Sequence, residues 1–279
     1  MCTLIVFLKK LADYPIIALH NRYERRGTRE LPPRVMDGKY RVFCPIDVRS
    51  GGTWVGFNER GLFAAVTDQH TAPPVDTEKS RGMLLLEVLR EFSSAMDAIE
   101  HIKENVREYK RGNFVVADFE AAFHLIHDES IILMEMKPGI HVITNLMIVP
   151  GVRMTDLARA IFEDVEARRR RAVELASRMR ARNIEEFIRK VKEIAADHGE
   201  GRSRRSICYH NEKGDWMMTS STIIAISRDI SRSKLLYCTG NPCENSFRDF
   251  SEIVQRAGKQ ISTKEFQSTD GTLRQRIVF

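Results

Sequence analysis

The chain has 279 residues, of which 43% are hydrophobic and 29% charged, with a net charge of +6. That length buries one sizeable core, and the apolar runs, such as Ile131-Ile132-Leu133-Met134, are strand-sized, which excludes a membrane-spanning helix. Five cysteines, an odd number spread from Cys2 to Cys243, exclude a closed disulfide framework and point to thiols in a reducing cytoplasm.

Cys2 follows Met1 and opens an apolar run, Leu4 to Leu8, that reads as a buried strand. The run is too short for a secretory signal, and Lys9 and Lys10 come after it. Ala12-Asp13-Tyr14-Pro15 is a turn cluster and Ile16 to Tyr23 a second strand. An antiparallel hairpin would return Asn21-Arg22-Tyr23-Glu24 to the side of Cys2. Residues 25–39, basic and carrying Pro32-Pro33, read as a loop, and Tyr40 to Cys44 as a short strand. Gly51-Gly52 implies a close backbone approach, to a neighbouring strand or to a ligand. Two strand-like runs flank Asn58-Glu59-Arg60-Gly61, a hairpin loop whose glycine can turn left-handed.

Residues 69–80 are polar with Pro73-Pro74, and Ser80-Arg81-Gly82 leads into a helix with Leu84, Leu85, Val88 and Leu89 on one face. A second helix runs from about Ser94 to Tyr109. Four strands are expected next: Phe114 to Asp118, Ala121 to Ile126, Ile131 to Met136 and His141 to Asn145. His124 and His127, three apart on a strand, fall on opposite faces and do not share a metal. From about Thr155 to His198 the period is helical, with Asn183 as a break and Gly199 as a stop. Residues 151–205 hold 15 Arg/Lys against 10 Asp/Glu. The interleaved Glu163, Glu166, Glu174, Glu185 and Glu186 give the pattern of solvated helices rather than of a nucleic-acid surface. Strands resume at Ser206 to Tyr209, Trp216 to Met218, Thr222 to Ser227 and Leu235 to Cys238. Cys238-x4-Cys243 has the wrong spacing for a zinc ribbon and no second pair, so neither a metal nor a cofactor is expected. A helix over about 247–257 and a Ser/Thr-rich tail close the chain.

Many antiparallel strands with two segregated helix pairs point to an α+β fold. Two face-to-face sheets with a helix pair on each outer side make a four-layer αββα sandwich. It reads as one domain over 1–279, with about 245–279 a C-terminal helix and tail.

If Met1 is removed, Cys2 carries a thiol and a free α-amine on one Cα. The amine titrates near ~7.7–8 and the thiol near ~8.5, so the amine can take the thiol proton. The plain alternative is a small residue after Met. Further residues bear on the choice: Met1-Cys2, Asn21-Arg22-Tyr23-Glu24, Gly51-Gly52-Thr53-Trp54-Val55-Gly56, Asn58-Glu59-Arg60-Gly61-Leu62, Ser80-Arg81-Gly82, Asn113-Phe114, Thr144-Asn145 and Thr219-Ser220-Ser221-Thr222. In these the chain resembles the NRDE family, also called the transport-and-Golgi-organisation protein 2 family, within the N-terminal-nucleophile (Ntn) hydrolases.

The resemblance implies the same αββα sandwich, with Cys2 as nucleophile and its α-amine as base. It implies that Arg22 holds the thiolate, the alternative being a strand-end ion pair with Glu24. Asn145 would donate to an oxyanion or position the amine, the alternative being a turn asparagine. Asn21, Glu24, Trp54, Arg81 and Asn113, all within the matching motifs, are the implied substrate-binding candidates. Two positions depart from the family. Tyr23 stands where its Asp belongs, and Asp68 where it usually has Asn. A carboxylate at 68 cannot donate to an oxyanion unless protonated, but it can orient the α-ammonium.

Three functions compete. The first is a hydrolase or acyltransferase acting on a small acyl amide or thioester. The second is a non-catalytic carrier of haem or an acyl-CoA-like ligand, with His20 as a conceivable axial ligand. The third, the weakest, is a nucleic-acid binder through Arg168-Arg169-Arg170-Arg171.

Overall fold

The strand and helix signals resolve, in a computed structural model describing residues 2–70, 77, 79–199 and 201–257, into five blocks. Six strands lead: β1 (Thr3–Leu11), β2 (Tyr14–Arg25), β3 (Glu30–Met36), β4 (Val42–Asp47), β5 (Val55–Asn58) and β6 (Phe63–Asp68). Helices α1 (Arg81–Glu91) and α2 (Ala95–Asn105) follow, then β7 (Gly112–Ala117), β8 (Ala122–His127), β9 (Ile131–Glu135) and β10 (Gly139–Thr144). Next come α3 (Asp156–Arg178) and α4 (Ile184–Ala195), and last β11 (Trp216–Ile226), β12 (Lys234–Thr239) and β13 (Arg248–Asp249). Residues 251–257 are helical. Ser80, Ser94, Thr155 and Asn183 cap the four helices, each side-chain oxygen accepting a first-turn N–H, a contact worth about 1 kcal/mol apiece. No described helix is long and apolar enough to cross a membrane.

All strand pairs are antiparallel, in two sheets ordered β10-β1-β2-β11-β12-β13 and β3-β4-β5-β6-β7-β8-β9. Side-chain alternation sorts the first sheet between two cores. Leu4, Val6, Leu8, Ile16 and Ala18 enter the core between the sheets, which also takes the apolar faces of α1 and α2. Ile5, Phe7, Ile17 and Leu19 enter the core under α3 and α4, where Phe7 meets Phe187 edge to face at 5.0 Å. Helices α1 and α2 lie on the second sheet, α3 and α4 on the first. The architecture is therefore the expected αββα sandwich. Each fully buried aliphatic or aromatic side chain contributes roughly 1.5–3 kcal/mol.

Three expectations need correction, at residues 30–36, 206–209 and 216–226. Residues 30–36 form an edge strand, not a loop. Pro32 and Pro33 lie where its pairing with β4 shifts register, as prolines in a sheet require. β10 does not continue the β7–β9 meander but crosses to the first sheet and pairs with β1, Thr3 facing Thr144. Residues 206–209 form no strand, because their backbone groups are satisfied otherwise. Cys208 N–H donates to the Asp197 carbonyl, Tyr209 N–H to Tyr23 Oη, and Ile207 O accepts from the Asn21 amide. β11 is one continuous strand with a bulge between Met218 and Ser220. The Gly51-Gly52 approach is to protein: a Cβ on Gly52 would fall 2.3 Å from the Gly82 carbonyl carbon, and Thr53 N–H donates to Gly82 O at 3.0 Å. Gly61 turns left-handed, at φ +88°, in the β5–β6 hairpin. Met1, Pro73-Pro74 and the tail after 257 lie outside the described residues.

Candidate active site

Thr3 faces Asn21 on one side and Thr144 on the other. Cys2 immediately precedes Thr3, Arg22 follows Asn21 on β2, and Asn145 follows Thr144 just past the end of β10. By the alternation above, Cys2 and Arg22 belong to the inter-sheet face, Asn21 and Tyr23 to the helix face. The hairpin thus returns Arg22 beside the thiol as expected. Cys2 is 6% exposed. Tyr23 N–H donates to its Sγ at 3.5 Å, and the Tyr23 carbonyl lies 3.8 Å from the same sulfur. Burial pushes the thiol pKa up and Asp68 adds to that, while the Tyr23 amide and Arg22 offset it in part. The resting sulfur is therefore a thiol, and any nucleophilic role needs a base in contact with it.

Arg22 is committed elsewhere. It donates to Glu30 at 2.5 Å and to Asp47, lies 3.6 Å from Glu24, and stacks 4.1 Å above the Trp54 ring. Burial opposes its charge, but Glu30 and Asp47 outweigh that and raise its pKa further. Glu30 faces Asp47 across β3 and β4, and Tyr237 Oη donates to the other Glu30 oxygen at 2.7 Å. The ion-pair alternative describes the contacts of Arg22, with Glu30 and Asp47 nearer than Glu24, in a cluster that joins the two sheets; its field acts on Cys2 through space, offsetting only part of the effect of burial.

Asp68, at the end of β6, is ion-paired with Arg81 and lies 3.4 Å from His70. Burial would raise its pKa, yet Arg81 and His70 hold it well below the usual carboxylate range. It is ionised at neutral pH and cannot donate to an oxyanion.

Asn145 is fully buried. Its Oδ1 accepts from the Arg168 guanidinium at 3.0 Å, while its Nδ2 has no hydrogen-bond partner among the described residues. A buried amide donor left unpaired costs about 1–3 kcal/mol. Here the acceptor end is clamped, which fixes the direction of the donor end.

The structure assigns internal tasks to most other candidates. Asn21 donates to the carbonyls of Ala195 and Ile207 and accepts from Ser221. Asn113 bridges Thr67, Asp68 O, Gln69 and Thr144 O, and His124 lies 3.1 Å from its Oδ1. Arg81 serves Asp68 and the Arg111 carbonyl. Trp54 is buried beneath Arg22, and Glu24 accepts from Arg25 N–H at the end of β2. His20 is fully buried, its Nε2 3.2 Å from Val66 O, and burial lowers its pKa to about 4. Tyr23 turns away from Cys2: its Oη takes Tyr209 N–H at 2.5 Å and donates to Tyr209 O at 3.1 Å.

Sequence reasoning missed Glu30, Asp47 and Arg168. The first two pair with Arg22 only once residues 30–36 become a strand. Arg168 carried a readable signal: it stands on the buried stripe Ala158, Val165, Ala172, Ala176. A charge there must find a buried partner. The arginine run is therefore not one solvated patch: Arg168 is buried, Arg169 pairs with Glu166, and Arg171 with Asp197 and Glu174.

The family model for Transport and Golgi organisation 2 matches residues 1–235. The chain belongs to this family. Comparison with curated proteins finds no match. Among solved structures, this Transport and Golgi organisation 2 family member is similar to penicillin V acylase from Agrobacterium tumefaciens. The TM-score is 0.56 at 15% identity, covering 92% of this chain and 89% of that one. It is similar also to the C2A mutant of conjugated bile acid hydrolase from Clostridium perfringens (TM-score 0.55, 14% identity, 90% and 96% covered). A third similar structure is the Caenorhabditis elegans ortholog of N-acylethanolamine-hydrolyzing acid amidase (TM-score 0.52, 12% identity, 80% and 92% covered). At such identities the likeness is one of fold: this family member has the αββα fold of the Ntn hydrolases.

Proposed function

We propose that this protein is a cysteine Ntn hydrolase or acyltransferase that cleaves an acyl amide or thioester once Met1 has been removed. The observation that carries this reading is Asn145, whose buried Nδ2 has no partner among the described residues and whose Oδ1 is fixed by Arg168, just past the end of the strand that pairs with β1 from Thr3, the residue after Cys2. The Cys2 thiol passes its proton to the freed α-amine, and the sulfur bonds to the substrate carbonyl carbon. The carbonyl electron pair moves to oxygen, which Asn145 Nδ2–H stabilises. Collapse breaks the C–N or C–S bond, the α-ammonium protonating a leaving amine. Water, deprotonated by the α-amine, then attacks the acyl-thioester and releases the acid and Cys2. An amine attacking in its place gives acyl transfer. Ionised Asp68 supplies a carboxylate for the α-ammonium and takes no part as a donor. An acyl amide also fits the names of two structural neighbours, an acylase and an amidase. The proposed compartment is the cytoplasm, where the five cysteines stay reduced.

Two observations favour a second reading. An ionised Asp68 repels an oxyanion, and Tyr23 is spent on the 207–209 backbone, as a carrier of haem or an acyl-CoA-like ligand would tolerate.

Intact mass and thiol trapping decide first: a retained Met1, or a Cys2 trapped no faster than the buried Cys44, whose thiol burial pushes up to about 12, refutes the enzyme. Wild type and Cys2→Ala are then assayed on acyl amides and thioesters. Turnover only in wild type supports the enzyme, and binding of haemin or acyl-CoA without turnover supports the carrier. Asn145→Ala should lower kcat by about 10²–10³-fold; an unchanged kcat removes Asn145 from the mechanism.

A further inference from the structure

Away from Cys2, four side chains from three parts of the chain converge: His198 just after α4, Cys208 and His210 in the irregular stretch before β11, and Cys243 after β12. One ligand atom from each lies within 4.8 Å of all the others. His198 Nε2 is 3.2 Å from His210 Nε2, and Cys208 Sγ is 3.6 Å from Cys243 Sγ. His210 Nε2 is 3.7 Å from Cys208 Sγ and 3.2 Å from Cys243 Sγ. We propose that these residues hold one zinc ion in a structural Cys2His2 site.

Four of the six separations fit a tetrahedron around an ion, and the other two, from His198 to the sulfurs, lie within 4.8 Å. With Zn–S of ~2.3 Å and Zn–N of ~2.0–2.1 Å, tetrahedral angles place S···S at about 3.8 Å, N···N at about 3.4 Å and S···N at about 3.6 Å. The four observed separations agree to within about 0.4 Å. Hydrogen bonding alone satisfies the cluster poorly. His210 Nε2 is either a donor or an acceptor, yet it faces another imidazole nitrogen and two sulfurs at once. A central cation takes a lone pair from each.

The surroundings match a metal's outer shell. His210 Nδ1 lies 3.6 Å from the Glu244 carboxylate, which Arg202 pairs at 3.1 Å, and Asn241 Nδ2 donates to Cys208 Sγ at 3.4 Å. Such partners orient an imidazole and temper a thiolate. Two thiolates and two neutral imidazoles neutralise a divalent ion, two thiol protons leaving to solvent on binding. Sulfur–nitrogen donors in a tetrahedron select zinc, the spacing leaves room for a single ion, and four protein ligands make the site closed rather than catalytic. A solvent-facing depression at Arg202, His210, Asn211, Glu212 and Lys213 gives an entry path. Cys238 stands apart, its thiol donating to Asn245 O at 3.4 Å.

The ion would clip the irregular stretch before β11 to the β12–β13 connection. Connections this long without secondary structure are uncommon. The clipped stretch carries the Ile207 and Tyr209 backbone groups that receive Asn21 and Tyr23, so the metal would brace the strand end behind Cys2.

The full chain, purified without a polyhistidine tag under reducing conditions, is tested for metal by mass spectrometry of the elements. Wild type and Cys238→Ser should retain about one zinc per chain after dialysis against a weak chelator, whereas Cys243→Ser and His198→Gln should lose it. Cobalt substitution should give thiolate-to-cobalt charge-transfer and tetrahedral d–d absorption. If the ligand variants do not fold, the same readouts on wild type decide, with a thiol-modifying reagent to release the metal. In the metal-free protein the Cys208 and Tyr209 amides should exchange hydrogen at least tenfold faster. Wild type that neither retains zinc nor binds added zinc or cobalt overturns the proposal. So does an intact mass two hydrogens low from a Cys208–Cys243 disulfide. None of these readouts depends on Cys2 chemistry, so either proposal can fail alone.

Discussion

Replacing Arg22 with Met tests what the guanidinium is for. The side chains of Glu30 and Asp47 are only 6% and 14% exposed, and the two residues face each other across β3 and β4. Without Arg22 they are two like charges in a dry site, and breaking a buried pair in this way costs about 3–5 kcal/mol. Loss of the stack on Trp54 adds about 0.5–2 kcal/mol. Urea unfolding slopes reach about 3 kcal/mol per M, so the ion-pair loss alone should lower the midpoint by roughly 1–1.7 M. Far-UV circular dichroism gives the midpoint, and fluorescence reports Trp54, one of two tryptophans. The variant Arg22→Met/Glu30→Gln/Asp47→Asn should regain most of the loss, because neutral amides need no counter-charge. A single variant less than about 1 kcal/mol below wild type, or a triple variant no better than the single, refutes the ion-cluster account. A slower Cys2 trapping rate at unchanged stability would instead make Arg22 chiefly the thiol's counter-ion.

Burial lowers the pKa of His124 to about 4 in the fold, against ~6.5 in an unfolded chain. The unfolded state therefore binds more protons between those values, and stability is lost as pH falls from ~6.5 towards ~4, at up to ~1.4 kcal/mol per pH unit. His124→Gln, which keeps a donor for Asn113, should flatten that limb in urea titrations, and an unchanged slope rejects the assignment. Tyr23→Phe keeps the ring stacked on Tyr209 at 5.7 Å but strands the Tyr209 N–H, at a cost of about 1–3 kcal/mol. Thermal melting measures it, and an unshifted Tm counts against the bond. Gly52→Ala puts a Cβ against the Gly82 backbone and should cost about 3 kcal/mol or more, at the upper end for single substitutions. A soluble variant of wild-type stability would show that the two segments can part freely.

The layer order was legible because it depends on periodicity: Leu4, Val6 and Leu8 against Ile5 and Phe7 encode a strand buried on both faces, and the caps Ser80, Ser94, Thr155 and Asn183 mark where helices begin. The hairpin that seats Arg22 beside Cys2 followed from a short turn alone. Illegible were features set by partners distant in sequence. Residues 30–36 look like a loop because of two prolines, yet an edge strand admits them. Residues 206–209 look like a strand, yet Asn21 and Tyr23 take their backbone groups first. No spacing rule links His198, Cys208, His210 and Cys243, since three separate segments supply them. Arg168 was legible in principle from its place on the helix stripe, but hidden within a run of four arginines.

The crossing of β10 sets an order of events. β1 is made first but is flanked by β2 and by residues 139–144, and β2 in turn by residues 216–226. At ~5–20 residues per second of synthesis, roughly 10–45 s pass before the last of these neighbours exists. β1 can pair with β2 at once, but its other neighbour, β10, is made only after α1, α2 and β7–β9, so β1 stays at a sheet edge until then. Once β10 docks, β1 is an interior strand. Completion of the sheet around β1 is thus a matter of timing: the strand that follows Cys2 waits at an open edge for a partner made much later in the chain.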